Sequence, residues 1–440
     1  MWSTRFGFDT AANCRSLLNR RLPCQSLECL SDQFTFYNMT RRIIPLTEYE
    51  TVHLERAELT DADAQLLWRR FGQQVAVEPP SFKNGQCWQL TAQGWVGFIA
   101  LSQELGLALL PKAPLRNLFG MLATAYDLRS VHFGPELFQV ETLPGFYEQL
   151  ALLLARGILE RGRRGLYSMY VDRAEWLPVV RGRLDAPRMV GQPTQMTVPC
   201  QFQEQTRDVD ENRILFWTLH QLLRSGLCTE QTLPTVRCAY RLLANAVTLQ
   251  PCRAEQCHHR HYDRLNRDYQ PLHALCAFFL RHVNPSLDEG AQDAPAFLVN
   301  SEQLFERFVH RWLATHLATR PSQASGHDLH LAPQVRYDLA DELHFRIDLA
   351  LFDGSETICV MDTKYKVPIG LPATADVQQV LAYAHAVQAR QAVLVYPLRL
   401  ARPLDITIHG IRVRSAFFDL NGDLEAAGRA FVEQIGAPSG

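Results

Sequence analysis

The clearest pattern of hydrophobic and polar positions lies near the C-terminal end of the chain, at 344–366. Every second residue of its first half is apolar, and these residues are Phe345, Ile347, Leu349 and Leu351. The second half, 357–365, also divides into two sets of alternating positions. Because side chains alternate between the faces of a β-strand, both runs predict strands. The turn signal Asp353-Gly354 between them predicts a β-hairpin.

Periodic runs on both sides of this hairpin predict further helices and strands. Apolar residues have helical spacing at 301–317, where Ser301 is a suitable N-cap, and again at 376–390 and 424–434. Strand patterns occur at 335–339, 391–396, 406–413 and 416–420. The order α-β-β-β-α-β predicts an α/β domain with a central mixed sheet and helices on its faces.

The preceding part of the chain changes from strand patterns to helical ones. Short strand patterns dominate 41–140, although helices are predicted at 61–71 and 115–128. Longer helical runs follow at 140–165, 214–223, 232–249 and 270–285, before a turn-rich linker at 284–294. The sequence therefore predicts a multidomain α+β protein. Its predicted segments are an extension at 1–40 that is disordered or not native, a β-rich domain at 41–140, a mainly helical region at 141–290 and an α/β domain at 295–440.

Composition and charge exclude several classes of protein. The 440 residues are 47% hydrophobic and 20% charged, which suits a globular protein of several domains. No apolar run approaches the length of about 18 residues that a membrane-crossing helix needs, and the N-terminus lacks the apolar segment of a secretory signal. Eleven cysteines without a disulfide-like framework indicate reduced thiols, so we expect a cytoplasmic protein. The net charge of −2 means that any surface for nucleic acid has to be local.

Three charged side chains converge in the predicted hairpin. Asp362 and Lys364 share one face of the second strand, and pairing of the strands places Asp348 beside Asp362. Carboxylate oxygens suit Mg²⁺, with Mn²⁺ as the alternative. A lysine nearby stabilises phosphoryl charge or helps to activate water. This combination is typical of a metal-dependent phosphodiesterase.

Other polar residues have competing interpretations. Glu306, at the edge of the apolar face of its helix, is either a third acid of the metal site or an ordinary helix-edge glutamate. Lys112, between two prolines, either meets a phosphate or is an exposed turn lysine. The stretch from Arg156 to Arg183 holds seven arginines against three acids. It fits contact with DNA phosphates, contact with a nucleotide-binding partner, or a solvated helix end followed by a strand.

Asp348 and Asp362-x-Lys364, between strands and before a helix, resemble the core of the PD-(D/E)xK nucleases, with Ile347 in place of the proline. A wider set of motifs resembles McrC, the nuclease subunit of the McrBC modification-dependent restriction systems. These motifs are Ile44-Pro45-Leu46-x-Glu48-Tyr49, Trp95-Val96-Gly97, Leu110-Pro111-Lys112, Arg181-Gly182-Arg183 within 177–185, 208–213, 304–308, 346–348, 361–366 and Asp376-x₂-Gln379-x₃-Tyr383-Ala384. The resemblance covers roughly 41–435.

The resemblance implies a function and roles for particular residues. McrC-like proteins cut DNA with Mg²⁺, and they act only with McrB, a hexameric AAA+ GTPase that recognises modified cytosine. They also stimulate its GTP hydrolysis through a non-nuclease region that inserts into the hexamer. The implied site residues are the catalytic Asp348, Asp362 and Lys364, the further metal ligand Glu306, and the supporting Gln379 and Tyr383.

The same resemblance makes the middle region a candidate for partner contact, with Arg181 and Arg183 as its candidate residues. The chain has no G-x-x-x-x-G-K-[ST] loop, so we do not expect it to bind or hydrolyse nucleotide alone. A GTPase partner that carries this loop is consistent with that absence. Two alternatives stay open, a stand-alone PD-(D/E)xK repair nuclease and a GTPase-activating scaffold with an idle nuclease domain.

Overall fold

The computed structural model describes residues 42–102, 104–126, 128, 142–190, 196–258, 260–284, 296–318, 329–340, 342–366 and 370–435. The predicted extension at 1–40 and almost all of the predicted linker at 284–294 lie outside the described residues.

The strands are β1 (Arg42–Thr47), β2 (Thr51–Leu54), β3 (Val75–Glu78), β4 (Trp88–Ala92), β5 (Trp95–Ala100), β6 (Leu105–Leu110), β7 (Met169–Leu177), β8 (Arg183–Leu184), β9 (Val198–Thr206), β10 (Val283–Asn284), β11 (Ala296–Asn300), β12 (Leu329–Ala340), β13 (Leu343–Asp353), β14 (Glu356–Thr363), β15 (Gln391–Tyr396), β16 (Asp405–Ile408) and β17 (Ile411–Phe417). The helices are α1 (Asp61–Phe71), α2 (Leu115–Ala125), α3 (Leu143–Arg164), α4 (Ala186–Val190), α5 (Asp210–Arg224), α6 (Leu233–Ala244), α7 (Tyr269–His282), α8 (Ser301–Ala318), α9 (Thr374–Ala386) and α10 (Leu424–Ile435).

The described residues form two compact units. The larger unit comprises 42–147 together with 296–435, and the smaller one comprises 148–284. This mixture of helices and sheets confirms the predicted multidomain α+β class, whereas the predicted four-segment division stays a prediction. No helix in the described ranges is long and apolar enough to cross a membrane.

Within the larger unit, a sheet of N-terminal strands is extended by a strand from the C-terminal part. β1 pairs in parallel with β6, which is antiparallel to β5, and β5 is antiparallel to β11. Gly97 on β5 has φ 153°, and a Cβ atom there would lie 1.9 Å from the carbonyl oxygen of Phe297 on β11. Glycine is therefore required where these two strands approach each other. A second sheet, β2-β4-β3, packs against the same hydrophobic core.

The second major part of this unit is a mixed six-stranded sheet in the order β12-β13-β14-β15-β17-β16. Its central strands β14, β15 and β17 are parallel, and the outer pairs are antiparallel. Helix α9 connects β14 to β15 and packs on the sheet through Val380 and Ala384, both fully buried. The mixed sheet was predicted. Helix α9 begins 11 residues after the last residue of β14 and contacts that strand.

The strand predictions at 406–413 and 416–420 were wrong in their boundaries. The structure has a hairpin of β16 and β17, with a tight turn at His409 and Gly410. Both turn residues have positive φ, 47° and 82°. Two successive left-handed residues reverse the chain with the twist that a hairpin needs. The helix predicted at 376–390 also ends earlier, at Ala386, because Gln388 takes φ 57°.

Helices α5, α6 and α7 form the core of the smaller unit, through fully buried residues such as Leu215, Leu243 and Leu275. The same unit contains a three-stranded antiparallel sheet, in the order β7-β9-β8, which the sequence analysis did not predict as a sheet. All residues of β7 from Met169 to Glu175 are exposed, so little apolar burial marks this strand in the sequence.

A buried polar network ties the ends of this sheet to the helices. The amide of Asn212, on α5, donates to the carbonyl oxygens of Tyr167 and Arg207, at 2.9 and 2.6 Å. Its side-chain oxygen accepts from the hydroxyl of Tyr269 on α7, at 2.6 Å. Because Asn212 is fully buried, these three bonds replace the water that it loses on folding. The motif at 208–213 thus has a structural role.

Candidate active site

The predicted hairpin is formed by β13 and β14, and it brings two aspartates together. The antiparallel register pairs Leu349 with Met361, which places Asp348 opposite Asp362. Oδ2 of Asp348 accepts hydrogen bonds from the backbone N–H and the hydroxyl of Thr363, both at 2.9 Å. These bonds fix the Asp348 carboxylate at the end of β14. The register thus brings the two acids together, whereas their predicted catalytic and metal-binding roles stay predictions.

Asp362 is almost completely buried, with 2% of its surface exposed. Its Oδ2 lies 2.7 Å from Nζ of Lys364, and apart from this ion pair that atom has no hydrogen-bond partner among the described residues. Burial raises the pKa of Asp362 to about 6, and the charge of Asp348 adds to the effect while Lys364 opposes it. A second cation beside this carboxylate would therefore be stabilised.

Lys364 connects the acidic pair to helix α9. Its Nζ donates to Oε1 of Gln379 at 3.0 Å, and Nε2 of Gln379 donates to the hydroxyl of Tyr383 at 2.7 Å. Burial acts to lower the pKa of Lys364, but Asp362 outweighs it, so that the pKa lies above its usual value. The lysine is therefore a cation that Asp362 and Gln379 hold in place, and it can stabilise negative charge on a phosphate.

Glu306 lies on α8, near Asp348 but engaged elsewhere. Its carboxylate accepts a hydrogen bond from the side chain of Gln334 on β12. Burial raises the pKa of Glu306, and the charge of Asp348 contributes. Within the described parts of the chain, no group of three or more His, Cys, Asp and Glu side chains has a geometry that could hold a metal ion. The predicted role of Glu306 as a metal ligand stays a prediction.

The donor set nevertheless fits a hard divalent cation. Asp348 and Asp362 present carboxylate oxygens at the same end of the hairpin, and the contact of the buried Oδ2 of Asp362 among the described residues is its ion pair with Lys364. Oxygen-rich sites with two carboxylates are typical of Mg²⁺, which keeps several of its waters. The two aspartates are the residues that would hold such an ion.

One acidic residue of the site was part of a motif in the sequence analysis but was given no role there. Asp376, 7% exposed and in the first turn of α9, accepts from Nζ of Lys366 at 3.0 Å. Its charge acts on both Asp362 and Lys364. The spacing of Asp376, Gln379 and Tyr383 follows the helical period, and this was the signal that could have assigned Asp376 to the same face.

Comparisons with known proteins show the family to which the chain belongs. A family model described as "McrBC 5-methylcytosine restriction system component" matches residues 90–397, well over half of the chain. The chain belongs to this family. A curated relative of this McrBC-family protein is the type IV methyl-directed restriction enzyme EcoKMcrBC of Escherichia coli (strain K12). It is 23% identical over 279 residues, which cover 58% of this chain and 74% of that protein.

A solved structure has a similar fold to this McrBC-family protein. It is the refined half-complex from the tetradecameric assembly of Thermococcus gammatolerans McrB AAA+ hexamers with bound McrC. The match has a TM-score of 0.57 and 18% sequence identity, and it covers 90% of this chain and 100% of the matched chain.

The remaining predicted residues of this McrBC-family protein lie on exposed surfaces. Arg181 precedes β8 in the smaller unit, where its guanidinium lies 4.2 Å from the ring centre of Phe202 and 3.3 Å from Oε1 of Glu204. Arg183 is exposed on β8. In the larger unit, Nζ of Lys112 lies 5.2 Å from the ring centre of Tyr49. Their predicted contacts with a partner or with phosphate stay predictions.

Proposed function

We propose that this McrBC-family protein is a metal-dependent DNA endonuclease of the PD-(D/E)xK type. In the proposed system it cuts modified DNA together with an AAA+ GTPase and stimulates that partner's GTP hydrolysis. The observation that carries the proposal is the convergence of Asp348, Asp362 and Lys364 at one end of a mixed sheet. The family membership and the names of the similar proteins support the restriction context.

The proposed chemistry is hydrolysis of a phosphodiester bond in DNA. Asp348 and Asp362 would hold Mg²⁺, which when bound polarises the phosphate and lowers the pKa of a water molecule. Lys364 is held as a cation by Asp362 and Gln379, so it can orient the attacking water and stabilise the charge that develops on phosphate oxygens. Tyr383 fixes the Gln379 amide, and thereby the direction of the lysine.

The proposed partner function concerns the exposed sheet of the smaller unit. Arg183 lies on the three-stranded sheet and Arg181 just before it, with exposed apolar residues beside them, among them Val179 at 73% and Val180 at 55%. Arginines that approach a nucleotide from another chain can stabilise phosphoryl transfer, and exposed apolar residues favour protein contact. A partner that binds GTP would supply the nucleotide loop that this sequence lacks.

The test uses the full chain, its purified AAA+ partner, and DNA with or without 5-methylcytosine. We expect cutting only when partner, GTP, Mg²⁺ and methylated DNA are all present, and EDTA should abolish it. Cutting by the chain alone would support a stand-alone nuclease, and this would contradict the proposed dependence on a GTPase.

A second experiment tests the proposed stimulation of the partner. Replacing Arg181 and Arg183 by alanine should lower the partner's GTP turnover towards its unstimulated rate. Arg188→Ala is the matched control, because Arg188 is an exposed arginine of the same unit, paired only with a neighbouring carboxylate at 3.6 Å in the described contacts. If the Arg181 and Arg183 variant and the Arg188→Ala control changed the partner's GTP turnover equally, the proposed role of Arg181 and Arg183 would be contradicted.

A further inference from the structure

A fully buried carboxylate lies in the larger unit, outside the residues that the proposed chemistry uses. Glu48 follows directly on β1 and has no exposed surface. Three donors surround its carboxylate: the backbone N–H of Lys112 at 3.2 Å, the hydroxyl of Ser301 and the hydroxyl of Tyr365. These donors come from the segment after β6, the start of α8 and the segment after β14.

The three donors explain why a carboxylate is tolerated in this position. Burial raises the pKa of Glu48, and the hydrogen bonds from Ser301, Lys112 and Tyr365 act against that rise. Each donor replaces a water molecule that the buried oxygens lose on folding. An apolar residue would fill the same space without this requirement. The carboxylate therefore contributes directed hydrogen bonds, which an apolar residue in the same space could not form.

One of the donors is directly adjacent to the lysine of the proposed centre. Tyr365 follows Lys364, and side chains of successive extended residues point to opposite sides. The Tyr365 hydroxyl is held by Glu48, and its ring packs against Phe305, with ring centres 5.8 Å apart. The backbone N–H of Lys364 donates to Val395 at 2.8 Å. The backbone of Lys364 is thus held by β15, and the side chain of the next residue, Tyr365, is held by Glu48.

We infer that Glu48 is a positioning residue for the cleavage reaction: through the hydroxyl of Tyr365 it sets the position of Lys364. This inference rests on the proposed nuclease function. It assigns a task in the reaction to the N-terminal sheet, since Glu48 lies at the end of β1 and 316 residues (364 minus 48) before Lys364. A displaced lysine would hold the attacking water and the phosphate less well, and a misplacement of about 1 Å can cost about a hundredfold in rate.

Ser301 provides the matched control. Its hydroxyl donates to the same carboxylate, but Ser301 begins α8 and is not adjacent to a residue of the proposed centre. Ser301→Ala and Tyr365→Phe each remove one hydroxyl from Glu48. Both should lower thermal stability by similar small amounts. Only Tyr365→Phe releases the segment that carries Lys364.

The experiment compares wild type, Tyr365→Phe, Glu48→Gln and Ser301→Ala in the full complex with the AAA+ partner, GTP and Mg²⁺. We expect Tyr365→Phe to lower kcat for DNA cleavage at least about tenfold. KM for DNA and the partner's GTP turnover should be unchanged, and Ser301→Ala should cut at nearly the wild-type rate. Glu48→Gln replaces one of the two carboxylate oxygens by an NH2 group and removes the charge, which weakens the contact. It should therefore lower kcat as well, and Tyr365→Phe should lower kcat less in this variant than in wild type.

A second measurement does not depend on activity. Amide hydrogen exchange of the segment 362–366 should be faster in Tyr365→Phe than in wild type, and unchanged in Ser301→Ala. Equal kcat and equal exchange in the two single-hydroxyl variants would overturn the inference and leave the proposed function standing. Failure of the wild-type complex to cut DNA would overturn both.

Discussion

Replacing Asp362 by asparagine should stabilise the metal-free protein while it abolishes the proposed cutting. The wild-type carboxylate is buried, and burial raises its pKa to about 6 from 3.8. Between these two values the folded state binds more protons than the unfolded state, so stability decreases as the pH rises through this window. Above about pH 7 the carboxylate is charged in both states and the whole penalty applies.

The expected size follows from the same numbers. A difference of about two pH units corresponds to about 3 kcal/mol, at 1.36 kcal/mol per unit. The pKa of about 6 already includes the attraction between Asp362 and Lys364, which lie 2.7 Å apart, so we expect Asp362→Asn to be more stable than wild type by about 3 kcal/mol at pH 8.

Urea unfolding of the EDTA-treated protein at pH 5 and pH 8 measures this difference. Asp362→Asn should unfold at a higher urea concentration than wild type at pH 8, and the difference should shrink at pH 5. Asp405→Asn is the control in the same unit, because Arg412 holds the pKa of Asp405 below its usual value. This control should not gain stability at pH 8. If Asp362→Asn were less stable than wild type at both pH values, the burial argument would be refuted.

Further expected effects concern packing and polar contacts in both units. Asn212→Ala should destabilise the smaller unit by about 3 kcal/mol in urea unfolding, because it removes three buried hydrogen bonds. Asp208 has its pKa lowered to about 2, chiefly by Arg213, so its stabilisation is present at neutral pH and is lost as the pH falls from about 4 to about 2. Because Asp208 is partly exposed, Asp208→Asn should cost only about 1 kcal/mol at pH 7 and flatten this acid dependence. Gly428→Ala should lower the stability of the larger unit by about 2 kcal/mol, since the added Cβ would lie 2.1 Å from the buried Trp312 ring.

Part of the proposed centre was predictable from the sequence. A period of two decides which side chains of β13 and β14 share a face. The register next to the turn at Gly354 would place Asp348 opposite Met361, and a bulge between Leu351 and Phe352 shifts the pairing by one residue so that Asp348 lies opposite Asp362. The meeting of the two aspartates therefore depends on a bulge that the alternation and the turn do not predict. The contact between Gln379 and Tyr383 follows from their separation of four residues on a helix.

The parts that escaped prediction depend on contacts between distant segments. Glu48 and Ser301 are separated by 253 residues, and they meet because β11 joins the sheet of N-terminal strands immediately before α8 begins. The sheet of β7, β8 and β9 was missed for another reason: its exposed strand β7 carries little of the apolar alternation that identifies strands. The turn of the β16–β17 hairpin fell inside the strand predicted at 406–413, since apolar residues occur on both sides of His409 and Gly410.

The most direct test of the nuclease centre is the rate of DNA cleavage by Asp362→Ala in the complete complex, with the partner's GTP turnover measured in the same reaction. Cys359→Ala is the control, a buried residue of the same strand three positions earlier, whose side chain points to the other face. We predict that Asp362→Ala does not cut DNA and retains stimulated GTP turnover, whereas Cys359→Ala does both. Undiminished cutting by Asp362→Ala would contradict the assignment of the centre.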